Sequence, residues 1–112
     1  MSPNRSDFYP GMLDMLILKT LTLASMHGYG IAQHLLRTSG DVIRVEEGSL
    51  YPALQRLRQR GQVSAAWGQT PNNQRARYYT ITAAGRRALG EQEAGFAEMM
   101  GAVRRVLRTS EI

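Results

Sequence analysis

The side chains with the most distinctive chemistry lie in one stretch, from Glu47 to Gly61, whose spacing predicts a short helix. One face of that helix carries mostly polar residues: Ser49, Tyr51, Pro52, Gln55 and Arg56. In the major groove of duplex DNA, glutamine pairs with adenine and arginine with guanine, so such a face would suit base recognition. An ordinary amphipathic helix with a solvated polar face has the same pattern. The helix alone leaves both interpretations open.

The opposite face of this helix is apolar, and we expect it to face the core. Its residues are Leu50, Ala53, Leu54 and Leu57. Pro52 has no N–H, which indicates the first turn, so we expect the helix to begin near Gly48 or Ser49. Ser49 would then cap free amides, with Glu46–Glu47 at the positive end of the helix dipole. Gly61 would end the helix in the left-handed conformation.

Positive charge is concentrated in the middle of the chain. The 112 residues carry a formal net charge of +5, and no Asp or Glu occurs between Gly48 and Gly90. The arginines of this interval are Arg56, Arg58, Arg60, Arg75, Arg77, Arg86 and Arg87. A basic chain favours polyanionic partners without identifying one.

Several classes of function lack the residues that they need. The chain has no cysteine and two histidines, so we expect no disulfide and no metal site. No nucleophile and base stand in a recognisable arrangement, so we expect neither an enzyme nor a cofactor. The first residues lack the apolar core of a signal peptide, and no run reaches the roughly 18 apolar residues of a membrane span. We therefore expect a cytoplasmic protein with no membrane partner.

The chain before Glu47 predicts two helices and a short strand. The first helix runs from Met12 to about Ser25 and is apolar over most of its circumference, Leu23 and Ala24 included. Its narrow polar strip is Asp14, Lys19, Thr20 and Thr22. After a break that contains His27 as an expected cap, a second helix continues to about Thr38. Val42–Val45 is a short β-prone run.

The chain after this polar helix predicts a β-hairpin. Its strands are Val63–Gly68 and Arg75–Ile81, joined by the polar loop Gln69–Gln74. Alternation places Arg77 on the same face as Tyr79, and therefore near the tip, where the hairpin leaves the core. We expect DNA backbone or minor-groove contacts from Asn72, Asn73, Gln74, Arg75 and Arg77.

This order of elements predicts a mainly α fold with a small β-hairpin, the winged helix-turn-helix, over residues 1–81. In that fold the third helix enters the major groove of DNA, and the hairpin lies beside it. Taken alone, the polar loop would be a solvated turn. Next to a basic helix, and followed by Arg75 and Arg77 on the return strand, it favours double-stranded DNA as the partner.

Residues 82–112 predict a long helix, capped by Thr82, with an apolar stripe at intervals of three, four and seven. The stripe contains Leu89, Phe96, Met99, Met100, Val103, Val106 and Leu107. A second copy of the chain is its simplest cover, which predicts a homodimer; packing onto the chain's own core is the alternative. An apolar small-molecule effector could bind among Phe96 and the methionines, with Phe8 and Tyr9, although core packing explains these residues equally well.

Together these motifs resemble those of PadR-type bacterial transcriptional regulators. They run in order along nearly the whole chain: Leu13 to Leu23, His27-Gly28-Tyr29 with Ile31, Glu47 to Leu54 with Arg56-Leu57 and Gly61, and Arg77-Tyr78-Tyr79 with Ile81-Thr82, Gly85 and Leu89. The resemblance implies a ligand- or stress-responsive repressor, dimeric through its C-terminal helices, on a palindromic operator. It is closest to the short C-terminal class, and the hairpin with Trp67-Gly68 and Asn72-Asn73 is similar to that of acidobacterial members.

A function of another class remains open: a winged-helix module that docks on a protein and binds DNA only non-specifically. Such a module would use the hairpin and the third helix as a peptide-binding surface. That module predicts weak, sequence-independent DNA binding, whereas in a sequence-specific regulator a change at Gln55 should relax base preference with little effect on the salt slope.

Overall fold

The computed structural model describes residues 11–110, which form four helices and one three-stranded antiparallel sheet. In chain order the elements are α1 (Met12–Leu21), β1 (Met26–His27), α2 (Gly28–Thr38), α3 (Glu47–Gln59), β2 (Val63–Gln69), β3 (Arg75–Ile81) and α4 (Ala83–Leu107). The predicted fold, a mainly α winged helix-turn-helix followed by a long helix, is confirmed.

The hairpin strands β2 and β3 pair along their whole length, within a sheet of order β1–β3–β2. At the base of the hairpin Val63 lies opposite Ile81, and both side chains are buried. Near the tip Gln69 lies opposite Arg75, and both side chains are exposed. One end of the hairpin therefore belongs to the core and the other projects from it.

The short strand is not where the sequence predicted it. Val42–Val45 form no strand; the short strand is β1, where Met26 pairs with Tyr79 of β3. Beside this pair the hydroxyl oxygens of Ser25 and Thr80 are 2.6 Å apart. A strand needs a neighbour whose backbone groups are unpaired, and the chain leaving α1 takes the edge of β3 that β2 leaves open.

The apolar character of Val42–Val45 has another cause. Ile43 and Val45 are half-buried and pack against the core from the connection between α2 and α3. The Ile43 N–H donates a hydrogen bond to Ser39 Oγ at 2.8 Å. The apolar residues here anchor a loop.

Helix α1 ends at Leu21 and not near Ser25. The Leu23 N–H donates to the Thr20 carbonyl, three residues back, at 3.1 Å, and this tight turn directs the chain toward β1. Leu23 is 63% exposed and Ala24 is also exposed, so the prediction that both are buried was wrong.

The core lies between α1, α2 and α3, and the sheet and the start of α4 close it. Its largest fully buried apolar side chains are Ile17, Leu18, Ile31, Leu50, Leu54 and Leu57. The four apolar positions of α3 are all buried, as their spacing predicted. Burial of each leucine contributes roughly 1.5–3 kcal/mol, so α3 is held firmly by one face and presents the other.

The start of α4 is tied to the end of α3. Thr82 Oγ1 accepts from the Gly85 N–H at 3.1 Å and donates to the Gly61 carbonyl at 2.7 Å, which confirms Thr82 as the cap. A Cβ on Gly85 would lie 2.1 Å from the Gln62 carbonyl oxygen, so only glycine allows this approach. From there α4 runs for 25 residues, about 37 Å. Neither α4 nor any other helix within residues 11–110 has the length and apolarity to cross a membrane.

Candidate nucleic-acid interface

The polar helix α3 begins at Glu47, before the predicted start at Gly48 or Ser49, and no side chain caps it. Glu46 precedes it in an extended conformation, and the Glu46 carbonyl accepts from the Ser49 N–H at 3.0 Å. Ser49 therefore lies inside the first turn, and the prediction that its side chain caps the helix was wrong. Because the helix starts at Glu47, Pro52 lies in the second turn, where it removes one helical hydrogen bond. Gly61 has a φ of 72°, which confirms the left-handed stop.

The face of α3 opposite the core is uncharged and open to solvent. Pro52, Gln55 and Gln59 are all exposed, and Ser49 is half-buried at their edge; we call these four residues the recognition face. Gln55 Oε1 accepts a hydrogen bond from Arg58 Nη1 at 3.4 Å. A primary amide offers a donor and an acceptor side by side, which is the pattern that adenine presents in the major groove.

Tyr51 lies at one edge of this face and packs α3 against the start of α2. A Cβ on Gly28 would come within 2.7 Å of the Tyr51 hydroxyl oxygen, so the ring lies directly on the Gly28 backbone. The side chain remains 45% exposed. Burial of the hydroxyl, followed by the charge of Glu47 and by Tyr79, raises the pKa of Tyr51 above its ordinary value. The phenol is therefore a neutral group at the boundary between the two helices.

Arg56 lies at the other edge of α3, and its guanidinium is paired. Arg56 Nη2 is 2.9 Å from Asp14 Oδ1, and Arg60 Nη1 is 3.4 Å from Asp14 Oδ2. The Asp14 side chain is 6% exposed, against 47% and 53% for the two arginines. Asp14 was expected on a solvated strip of α1, and that prediction was wrong because α3 covers it. Thr20 is buried too and donates to the Leu16 carbonyl at 2.8 Å.

We call the distal half of the hairpin, residues 67–77, the wing; its two arginines lie against one aromatic ring. Trp67 lies opposite Arg77 in the ladder and is 57% exposed. The guanidinium carbons of Arg75 and Arg77 are 4.4 Å and 5.3 Å from the centre of the Trp67 ring. Arg77 Nε is buried without a hydrogen-bond partner in the described part of the chain. Arg77 lies toward the tip of the hairpin, as the alternation of side chains along the strand predicted.

The tip of the wing is a compact turn with an exposed polar surface. Thr70 organises it: its N–H donates to the Gln74 carbonyl at 2.8 Å, and its Oγ1 accepts from the Gln74 N–H at 3.1 Å. Asn73 has a φ of 62°, a conformation that asparagine tolerates better than most residues. Asn72, Asn73 and Gln74 are all exposed, as a surface for hydrogen bonding must be.

The wing, α2 and the start of α3 enclose a cleft of about 970 Å³. Among its lining side chains are Tyr29, His34, Arg37, Tyr51, Arg75 and Arg77. The lining contains three arginines and no Asp or Glu. Such a surface suits an anion, because nothing in the lining repels one.

The residues that α2 contributes to this cleft were missed by the sequence analysis. Tyr29, Gln33 and Arg37 recur at intervals of four on the polar side of α2, and Gln33 Nε2 donates to Tyr29 Oη at 2.9 Å. That spacing was visible in the sequence, but a polar helix face is usually just solvated. Only the position of the wing shows that this face lines a cleft. His27 caps α2 as predicted, with Nδ1 accepting from the Gly30 N–H at 3.0 Å.

The apolar stripe of α4 divides into a covered and an uncovered part. Leu89 is 6% exposed and belongs to this chain's own core, so its assignment to a dimer contact was wrong. Phe96 and Met100 are half-buried, and Phe96 packs against the core. The exposed members are Met99, Val103, Val106 and Leu107. Phe8 and Tyr9, considered for an effector pocket, lie outside the described residues.

No group of three or more His, Cys, Asp or Glu side chains within residues 11–110 is arranged to hold a metal ion. The arrangement of the surface residues supports hydrogen bonding and charge attraction. The recognition face offers uncharged donors and acceptors, and the adjacent cleft and wing offer positive charge.

Comparison with known proteins gives one consistent match. Residues 17–91 match the model of the transcriptional regulator PadR-like family. A transcriptional regulator from Clostridium thermocellum has a similar structure, with a TM-score of 0.78 and 26% identity over 93% of this chain and all of that one. A PadR family transcriptional regulator from Eggerthella lenta has a TM-score of 0.77 and 30% identity over 89% of this chain and 85% of that one. An uncharacterized protein from Lysinibacillus sphaericus is 30% identical over 95 residues, 85% of this chain and 87% of the relative.

Proposed function

Because the chain belongs to the transcriptional regulator PadR-like family, we propose that it is a repressor that binds a palindromic operator as a homodimer. Membership of the family implies regulation through DNA binding. Beyond that, we propose the repressor role, the homodimer, the operator symmetry, an apolar effector and the contact residues. We keep the division of the chain into a DNA-binding part, 1–81, and a dimerisation part, 82–112.

The observation that carries the proposal is the position of the recognition face beside the acid-free cleft. In our proposal Ser49, Pro52 and Gln55 face base edges in the major groove, with Tyr51 at the rim. The phosphodiester strand that borders the groove then occupies the cleft, beside the arginines of α2 and β3. The contacts to backbone or minor groove come from Asn72, Asn73, Gln74, Arg75 and Arg77. Phosphate contacts fix the register on DNA and base contacts give specificity, so the cleft and wing would supply the first and the recognition face the second.

The exposed part of the α4 stripe supports the homodimer. Met99 is 45% exposed and Val103 38%, at a spacing of four residues on one side of the helix. A two-fold axis at this surface places the recognition helices about 10 bp, one helical turn, apart on DNA. We propose that an apolar effector binds near Met99, Met100 and Phe96 and releases the operator by changing that spacing.

Selection from random-sequence duplexes with the purified protein tests the function. We expect an inverted repeat whose half-sites are centred about 10 bp apart. Enrichment of an unpaired motif would contradict the palindrome and the homodimer. Binding without any enrichment would favour the protein-docking module instead. Trp67 is the only tryptophan of the chain and lies in the wing, so its fluorescence reports binding without a label.

The assignment of the recognition face has its own test. Gln55→Ala should reduce discrimination at one base pair of the selected site by about 1–3 kcal/mol, with the salt dependence unchanged. Gln55→Glu should shift the preference toward cytosine, whose amino group donates to a carboxylate. If both variants retain the wild-type base preference, Gln55 does not read the site.

The dimer surface is tested by charge. Met99→Glu with Val103→Glu should give monomers in light scattering, because two carboxylates from each chain would be desolvated at the two-fold contact. Ala94→Glu with Ala97→Glu adds the same charge at exposed positions outside the stripe and should leave the mass unchanged. A dimer that survives the first pair of changes would refute the α4 contact.

A further inference from the structure

A buried carboxylate binds two arginines, one on α3 and one at its C-terminal end, and separates them from the rest of the positive surface. Asp14, on α1, binds Arg56 and Arg60 through different oxygens, at 2.9 Å and 3.4 Å. These contacts join residues 42 and 46 positions apart in the chain. They are the ion pairs found within the described residues.

The burial of Asp14 makes this contact persistent. The whole residue is 4% exposed, and an unpaired charge at such a depth is costly. Hydrogen bonds between charged groups are also about twice as strong as neutral ones. At least one of Arg56 and Arg60 must therefore remain on the carboxylate while the chain is folded.

The contact also determines what α3 can offer to DNA. Arg56 follows Gln55 directly, and about half of its side chain is exposed, so without Asp14 it would be free to turn toward a phosphate. Asp14 offsets one of the two positive charges, so Arg56, Arg60 and Asp14 together keep a net charge of +1 and replace fewer counterions of DNA than two free arginines would. The recognition face is then flanked on the α1 side by this ion-paired cluster, and on the other side by the neutral Tyr51 and by Arg58, whose Nη1 donates to Gln55 Oε1 at 3.4 Å.

We propose that Asp14 is a positioning residue for DNA recognition, which holds Arg56 and Arg60 away from phosphates and fixes the orientation of α3. Base discrimination then rests on uncharged side chains, and the phosphate contacts come from the wing and α2. Arg56, expected from the sequence to touch DNA, acts within the protein in this scheme. This inference rests on the proposed function, since it concerns how the same surface gains specificity.

The first test is Asp14→Asn, measured on the selected operator and on a short random-sequence duplex. Release of one or two arginines should steepen the dependence of log K on log salt by about 1 to 2, because each phosphate contact adds about 0.9. For each new contact, a fourfold fall in salt concentration should strengthen binding to random DNA about threefold more in the variant than in the wild type. The ratio of operator to random affinity should fall. The control is Glu91→Gln, which removes one exposed acidic charge on α4 and should leave the slope unchanged.

A second variant keeps the inference testable if Asp14→Asn fails to fold. Arg56→Gln leaves Arg60 on the carboxylate, and we expect the salt slope of the wild type. Arg75→Gln, an equal loss of charge in the wing, should lower the slope by about 0.9. If Arg56→Gln lowers it as much as Arg75→Gln, Arg56 touches phosphate and the inference is wrong.

The outcomes separate this inference from the proposed function. If the wild-type protein enriches no DNA sequence, the proposed function fails and no variant is needed. If the wild type selects an operator but the slope of folded Asp14→Asn equals that of the wild type, the proposed function stands and the role of Asp14 does not.

Discussion

Two pairs of arginines come from the same acid-free interval of the sequence but have different surroundings. Arg56 on α3 and Arg60, the residue that directly follows this helix, are bound to a buried carboxylate. Arg75 and Arg77 on β3 lie against the exposed Trp67 ring and line a cleft without acidic residues. The type of residue and the local charge are the same, so it is the packed neighbour that decides which pair is available to a polyanion.

Under the proposed function, the contrast accounts for both firm DNA binding and base discrimination by one small surface. An aromatic ring orients a guanidinium without neutralising it, and each such contact contributes about 0.5–1 kcal/mol at an exposed site. A carboxylate orients a guanidinium and also offsets charge, and Asp14 offsets one of the two charges of Arg56 and Arg60. In our proposal the wing pair therefore contacts DNA, whereas Arg56 and Arg60 hold α3 against α1.

The largest effect that we expect concerns folding. Asp14→Asn should lower the free energy of unfolding by about 2 kcal/mol, because it weakens charged hydrogen bonds at a buried site. Arg75→Gln should change it by less than about 0.5 kcal/mol, as is usual at the surface. Urea denaturation of both variants measures the difference. Equal destabilisation would remove the distinction between the two pairs.

The next effect concerns DNA affinity. Arg75→Gln with Arg77→Gln should weaken binding to every duplex by about tenfold and lower the salt slope by about 1.8, the value for two phosphate contacts. Fluorescence anisotropy of a labelled duplex at several salt concentrations measures both. Loss of affinity confined to the selected operator would mean that these arginines read bases.

Removal of the ring should have a smaller effect. Trp67→Ala leaves both wing arginines in place but takes away the surface that orients them, and we expect binding to weaken about threefold. Trp67→Phe keeps an aromatic face and should recover most of the loss. Anisotropy again provides the measurement, since neither variant retains the tryptophan signal. If Trp67→Ala binds DNA as tightly as the wild type, the ring does not orient the arginines for DNA binding.

The smallest effect lies at the wing-side edge of α3. The pKa of Tyr51 is raised in the folded chain, so its contribution to stability is complete below its ordinary pKa of 10.0 and is lost as the pH rises through the folded value. Tyr51→Phe should therefore flatten the decline in thermal stability at alkaline pH. Tyr29→Phe, at a residue that is 69% exposed, is the matched control. An unchanged alkaline profile for Tyr51→Phe would exclude a buried phenol as its source.

Local patterns predicted the parts of the site that depend on local geometry. The apolar face of α3 follows from a period of 3.6 residues, and the position of Arg77 toward the tip of the hairpin follows from strand alternation. Thr82 and Gly61 mark helix ends because capping is a property of a few adjacent residues. These predictions needed no knowledge of what lies across the molecule.

The failures share a different cause. The strand Met26–His27 is too short to show a period and exists only because β3 lies beside it. Asp14 was placed in solvent because charged residues usually are exposed, and its partners come from another helix. Leu89 fits the α4 stripe by spacing, yet its position near the start of that helix brings it into the core.

The sequence by itself determined the order of the four helices and the hairpin, the buried face of α3 and the resemblance to a family of regulators, since periodicity and capping are encoded by neighbouring residues. Only the tertiary structure decided which arginines are paired, which part of the α4 stripe is covered, and that α2 shares a cleft with the wing. Those facts depend on contacts between groups far apart in the chain. Burial and pairing are properties of such contacts, and no local pattern of residues contains them.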